Sequence, residues 1–483
     1  MTGGSLFGQG GSGVRQIAPG RRPDKEDDRF RLVKGTVDTV RDLEALDFFR
    51  DETLVADPYP YLDNLREKCP VRRERHHDVV MVTGYDEAVE VFHDSAAFSS
   101  CISVTGPFPG FPVPLDGADV SALIERHRHE LPMNDQLPTM DPPTHTDHRA
   151  LLMRLITPKR LKENEALMWD LADRMLDPFL TPGEGEFISG FAGPFTLLVI
   201  ADLLGVPEED QDEFLDKLQR QPAQTGGVGG TGTETLAHSP LEFLYGKFTG
   251  YIEDRRRSPR ADVLTGLAGA TFPDGSTPEV IDVVRVAANL FSAGQETTVR
   301  LLSSALKILA EQPDLQRQLR AERERIPAFI EETLRWESPV KGDFRLSRVP
   351  VTVGGVQLPA GTTVMVVNGA ANRDPRRFEK PETFDVARSN ARQHLAFGRG
   401  IHSCPGAPLA RAEARASLER LLDRTTDIRV NERVHGPAGN RRYEYMPTFI
   451  LRGLTALHLE FDLAPAPPRD CPPAGSPTGW IKG

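Results

Sequence analysis

Cysteine is scarce: four in 483 residues, Cys69, Cys101, Cys404 and Cys471, far apart and without a CxxC pair. That spacing excludes a disulfide scaffold, and it excludes a zinc site or redox dithiol built on paired cysteines. Long apolar runs are also missing. Nowhere do the roughly 18 uninterrupted apolar residues of a membrane span occur, and the opening MTGGSLFGQGGSGVRQIAPG lacks the apolar core of a signal peptide. Basic excess is absent too, because 58 Lys+Arg face 70 Asp+Glu for a net charge of -12, which leaves no electrostatic footprint for a polyanion. The expectation is a soluble, cytoplasmic protein of a reducing compartment, with no nucleic acid and no membrane among its partners.

What is present is globular: 39% hydrophobic and 27% charged residues are enough for a large core. Residues 1–40 are rich in Gly, Pro and charge and read as a flexible N-terminal arm, and 463–483 reads as a Pro-rich C-terminal tail. Between them no composition break marks a linker, so 41–462 is read as one catalytic domain. A Gly/Thr stretch at 224–235, QTGGVGGTGTET, reads as a lid loop or a tolerated surface insertion. Helical periodicity covers 160–180, 195–204, 208–220, 240–257, 278–312, 315–336 and 406–424. Short β-like runs fall at 79–83, 351–358, 362–367 and in the terminal TFILRGLTALHLEF. The fold class is therefore mainly α with small peripheral β-sheets. The helix from Pro278 to Gln312 would be about 50 Å long, yet its middle, NLFSAGQETTV, sets Gly294, Glu296, Thr297 and Thr298 where a core helix would carry apolar residues.

The strongest chemical signal is HLAFGRGIHSCPGAPLAR at 394–411. Glycines at 398, 400 and 406 let backbone approach a ligand closely. The helix that follows Cys404 should lower its thiol pKa through its N-terminal N–H groups and dipole. Without that glycine frame, a lone cysteine would read as a small buried hydrophobe.

FGRGIHSCPG resembles the FGxGxHxCxG loop of the cytochrome P450 family at every specified position. The resemblance implies the cytochrome P450 fold and heme b (iron protoporphyrin IX), with Cys404 as the metal ligand, Phe397 packed on the ring and His402 at a propionate. Further landmarks follow in order. Glu332 and Arg335 resemble the ExxR pair, although PETFD places Thr383 where a basic third member often stands, with Arg388 as a candidate substitute. In MDPPTHTDHRALLMRL, His145 and Arg149 resemble the propionate-binding pair of bacterial members, and Arg345 would add a third contact. AGQETT resembles the oxygen-activation motif. By that likeness Thr297 hydrogen-bonds the oxygen being activated, Glu296 supplies protons and Gly294 makes room above the iron.

The resemblance implies a monooxygenase that inserts one atom of O2 into an apolar small molecule, such as a terpenoid, steroid, fatty acyl chain or aromatic. Leu290, Ala293, Gly294 and Val340 are candidate walls of its pocket, as is the loop at 104–115, and Lys341 or Asp343 could meet a polar end. Electrons would come from NAD(P)H through a ferredoxin reductase and a ferredoxin, because the chain shows no flavin or iron-sulfur motif. Arg399, Arg411 and Arg415 would form the docking patch or be plain surface residues. The alternatives are a heme-thiolate enzyme that uses peroxide or catalyses coupling or rearrangement, and a non-catalytic heme-binding protein.

Overall fold

The computed structural model describes residues 43–218 and 239–465. The expected arm, nearly all of the expected tail and the Gly/Thr stretch 224–235 lie outside the described residues.

Seven helices position the site: α1 (Thr144–Leu155), α2 (Pro158–Leu180), α3 (Gly193–Leu204), α4 (Ser239–Arg257), α5 (Val280–Glu311), α6 (Ile326–Trp336) and α7 (Ala407–Arg424). Local chemistry sets their ends. The Thr157 side chain accepts from the Arg160 N–H at 3.2 Å to open α2. Glu279 and Asp282 form a reciprocal capping box at the start of α5. Gly205, at φ 76°, closes α3 in the left-handed conformation that other residues avoid. The expected helix 315–336 is two helices, Pro313–Ala321 and α6, parted by a 3-10 turn at Arg323–Arg325. Pro327 explains the break, since proline fits the first turn of a helix and not its interior.

Helix α5 runs through the main core and packs on α1, α3, α4, α6 and α7. Its residues are buried almost continuously from Val283 to Phe291 and again from Leu301 to Ala310. Phe187, Phe191 and Phe195 stack beside it with ring centroids 5.7 and 5.3 Å apart. Each such buried ring contributes about 2–3 kcal/mol of apolar burial. No helix among the described residues is long and apolar enough to cross a membrane.

The sheets are peripheral, as expected. One has five strands in the order Val71–Arg73, Val80–Val82, Thr363–Val366, Asp343–Ser347, Phe98–Ser99. The run 351–358 is a hairpin that turns at Gly354 and Gly355, both at positive φ. The terminal run TFILRGLTALHLEF forms a strand only at His458–Leu463. The residues before it fold back as a loose hairpin, with Tyr445 bridged to Leu454 and Leu451 bridged to Val340. Pro447 and Gly453, at the two ends of that return, prevent a continuous ladder.

Candidate active site

The Cys404 loop is shaped by backbone that only glycine permits. Gly398 and Gly400 have φ of 62° and 68°, and a Cβ at Gly400 would lie 2.2 Å from the Phe92 carbonyl oxygen. The Cys404 N–H donates to the Phe397 carbonyl at 2.8 Å, which closes the loop under the sulfur. The Arg411 guanidinium lies 4.7 Å from the centre of the Phe397 ring. Cys404 is exposed, although protein atoms crowd around it. The expected low thiol pKa is not what the protein alone produces. Burial pushes the Cys404 thiol up, and the opposing N–H groups of Gly406 and Ala407 and the guanidiniums of Arg149 and Arg411 do not outweigh it.

The middle of α5 carries the other expected residues. Ser292, Ala293 and Glu296 are exposed and Thr297 is half-buried, within a helix otherwise packed in core. Their spacing puts them on one face of α5. The Thr297 hydroxyl donates to the Ala293 carbonyl at 2.8 Å. The room left by Gly294 is taken by α3, because a Cβ there would lie 3.2 Å from Ile200 Cδ1. Gly294 thus allows close packing of α5 on α3. Leu290 is buried in the main core, one turn earlier.

The residues expected at the rim converge. The His145 and His402 rings have centroids 4.0 Å apart. Ser100 Oγ lies 3.0 Å from His402 Nε2, Arg149 Nη2 donates to the Ser403 carbonyl at 2.6 Å, and Arg345 Nη1 donates to the Phe344 carbonyl at 2.6 Å. Burial first, then the Arg149 and Arg345 charges, holds His145 at about 4. Burial, helped by Arg345, His145 and Arg149, holds His402 at about 2. Among the described residues neither Arg149 nor Arg345 has a carboxylate within ion-pair distance, and His145 Nε2 is buried with no partner. Cationic and donor groups gathered without an anion fit the two carboxylates of a heme, and the exposed Cys404 sulfur fits its iron. No cluster of His, Cys, Asp and Glu among the described residues could cage a metal on its own.

Beneath the loop, Glu332 and Arg335 are completely buried. Arg335 donates from Nη2 at 2.7 Å and from Nε at 2.8 Å. The third member is Arg388, whose Nε lies 3.1 and 3.2 Å from the Glu332 oxygens. Thr383 takes part only through its carbonyl, which accepts from Arg335 and Arg388 at 3.2 and 3.0 Å.

The neighbouring Glu331 accepts from Arg411 Nε at 2.6 Å and faces His394 Nε2 at 3.2 Å. Burial pushes its carboxyl up, but the His394 and Arg411 contacts prevail and hold it at about 2 against an ordinary 4.5. A depressed carboxyl stabilises the fold above its unfolded pKa and loses that contribution as pH falls toward the folded one. The stability gap between wild type and Glu331→Gln, measured from urea midpoints, should therefore be about 3 kcal/mol at pH 6 and shrink steadily below pH 4. A gap independent of pH would contradict this. Arg411 is thus engaged internally, Arg415 pairs with Glu419 at 2.7 Å, and Arg399 donates to the Gln393 and His394 carbonyls at 3.1 and 3.3 Å. Arg411 and Arg415 are thus ion-paired, whereas Arg399 meets only carbonyls and keeps its charge.

Other expected pocket residues are rearranged. Val340 is half-buried and meets the C-terminal hairpin. Lys341 is buried rather than facing solvent, and its Nζ donates to the Thr448 carbonyl at 2.5 Å. Burial, helped by the Arg452 charge, pushes it down to about 7. Asp343 accepts from Asn368 at 3.1 Å. Phe108 of the 104–115 loop packs on Phe49 and Phe449. The return of residues 446–453 to this region was missed in the sequence, whose only local signal was Pro447 and Gly453.

An exposed cysteine in a glycine-framed loop, a polar break in α5 and an anion-seeking rim together fit a heme-thiolate protein. The comparisons agree. The profile of the family described as Cytochrome P450 matches residues 253–426. Cytochrome P450 144 of Mycobacterium tuberculosis is 33% identical over 421 residues, covering 86% of this chain and 91% of that protein. Cytochrome P450 monooxygenase PikC of Streptomyces venezuelae is 32% identical, covering 89% of this chain and 97% of that one. The substrate-free structure of Mycobacterium marinum cytochrome P450 CYP150A6 superposes with a TM-score of 0.83 at 56% identity, covering 88% of this chain and all of that one. The chain belongs to the cytochrome P450 family: it is a heme monooxygenase, an oxidoreductase.

Proposed function

We propose that this enzyme hydroxylates an apolar small molecule, and that residues 41–462 form the catalytic domain. The observation that carries the reading is the side-by-side acid and alcohol, Glu296 and Thr297, at the exposed polar break of α5. Cys404 would hold the iron, with Phe397 against the ring and His145, Arg149, Arg345 and His402 binding the carboxylates. When bound, the heme supplies oxygen activation and C–H oxidation.

The chain's own residues handle protons and position. Thr297 spends its hydroxyl proton on the Ala293 carbonyl, so its oxygen lone pairs are left to accept a hydrogen bond. A threonine in that state fixes a protonated group in place rather than giving up its own proton. Glu296, with its side chain 51% exposed, delivers protons past Thr297. Ala293 and Val340 line the guest's seat beside the hairpin, and the aromatic and aliphatic neighbours Phe449, Ile450 and Leu451 favour an apolar guest. Electrons arrive from NAD(P)H through a ferredoxin reductase and a ferredoxin.

The test is product formation with ferredoxin, its reductase and NAD(P)H, set against hydrogen peroxide alone, on a panel of terpenoids, steroids, fatty acids and aromatics. The reading expects turnover to need the electron-transfer chain. Efficient turnover with peroxide alone, and none with the chain, would overturn it.

A further inference from the structure

Glu296 is not free. Arg300, one turn further along α5 and only 3% exposed, donates from Nη2 to Glu296 Oε1. Its other arm reaches a different element, since Nη1 donates to Met446 Sδ at 2.8 Å. The Arg300 stem lies directly on Gly453, where a Cβ would come within 2.6 Å of Arg300 Cγ and 2.7 Å of Nη1. Met446 and Gly453 are themselves joined, the Met446 N–H donating to the Gly453 carbonyl at 3.1 Å. Between them lie Thr448, which accepts from Lys341, and Leu451, which bridges Val340. One guanidinium therefore touches both the acid of the proton path and the hairpin that borders the guest's seat.

An exposed pair at i,i+4 spacing stabilises by only a few tenths of a kcal/mol and would need no further reading. This pair differs because the arginine is buried. Arg300 Nε is also buried and has no partner, so the side chain bears a desolvation cost that the Glu296 carboxylate and the Met446 sulfur offset only in part. A buried planar guanidinium pinned by Met446 on one arm holds its other arm, and the Glu296 oxygen on it, in a fixed place, which a flexible ammonium would not do.

We propose that Arg300 is the positioning residue for Glu296, and that through Met446 and Gly453 it makes the orientation of that acid depend on how the 446–453 hairpin is seated. The proposal rests on Glu296 being the proton-delivering acid. Its consequence is a mechanical link between the wall of the guest's pocket and the proton path, in which a guest that shifts the hairpin also shifts the acid.

The experiment is a double-mutant cycle on the holoenzyme, reading product formed per NAD(P)H consumed for Glu296→Gln, Arg300→Gln and the double variant. Amide hydrogen exchange over 446–453 is measured in parallel. The expected result is a loss of coupling of at least about tenfold in each single variant, no further loss in the double, and faster exchange over 446–453 whenever Arg300 is replaced. Met446→Leu conserves volume and leaves Glu296 and Arg300 in place, so it is a second route that does not depend on Arg300→Gln folding. It should lower coupling and loosen the hairpin. Arg300→Lys, which keeps the charge and loses the fork, should restore coupling only in part. Wild-type coupling in Arg300→Gln and Met446→Leu, or losses that multiply in the double variant, would overturn the proposal while leaving Glu296 as the acid. Wild-type coupling in Glu296→Gln would overturn both.

Discussion

Glu332→Ala should leave almost no heme-loaded protein. The Glu332 carboxylate has four donors: Arg335 Nε and Nη2, Arg388 Nε and the Asp385 N–H, the last at 2.9 Å. Glu332 and Arg335 have no exposed side-chain surface and Arg388 has 6%. Removing the carboxylate strands two guanidiniums in a place water does not reach, which costs about 3–5 kcal/mol or more. A domain's whole stability is about 5–15 kcal/mol. The network also holds the Asn372, Pro381 and Thr383 carbonyls through Arg335, so the segment leading to the Cys404 loop loosens with it. Soret absorbance per mole of soluble protein and the urea midpoint are the measurements. Asp314→Ala is the control, since it breaks an exposed pair, 70% and 92% accessible, and should cost less than about 0.5 kcal/mol. Wild-type heme content and midpoint in Glu332→Ala would refute the clamp.

The second large effect is on chemistry. Thr297→Ala should consume NAD(P)H at a rate near wild type while product per NAD(P)H falls by about tenfold or more. The argument turns on one atom. With its proton committed to the Ala293 carbonyl, Thr297 Oγ1 is an acceptor, and alanine leaves no acceptor there. Thr297→Ser keeps the oxygen and should retain much of the coupling. Measured peroxide release should account for the missing product. Unchanged coupling in Thr297→Ala would assign the residue to packing.

The Cys404 loop was legible because its chemistry is written in consecutive residues: Gly398 and Gly400 are needed by local backbone, whatever surrounds them. The rim was legible for a related reason, since His145 and Arg149 share one helical face and the Cys404 loop carries His402. Contacts between distant segments were only partly legible. Arg388 could be named as a candidate third member, but not its reach to both Glu332 oxygens from 56 residues away, and the apolar spacing of 315–336 continues straight across the turn that Pro327 imposes. The terminal run is rich in strand formers, yet residues 446–453 go to the pocket because Val340, Lys341 and Arg300 offer bridges that a continuous ladder would forgo. The motif told that Gly294 is small but not that Ile200 of α3 packs against it. The Cys404 pKa was misjudged because helix N–H groups are local and visible in sequence, whereas burial is a property of the folded whole. The Glu296 and Arg300 spacing was a usable signal that the motif obscured.

The account depends above all on Cys404 as the ligand of a heme iron. The carbon monoxide difference spectrum of the reduced protein tests that directly, since a thiolate moves the main band to longer wavelength than an imidazole does. The prediction is the long-wavelength band in wild type and its loss in Cys404→Ser. A band at the imidazole position in freshly prepared wild type, or the long-wavelength band surviving in Cys404→Ser, would contradict it.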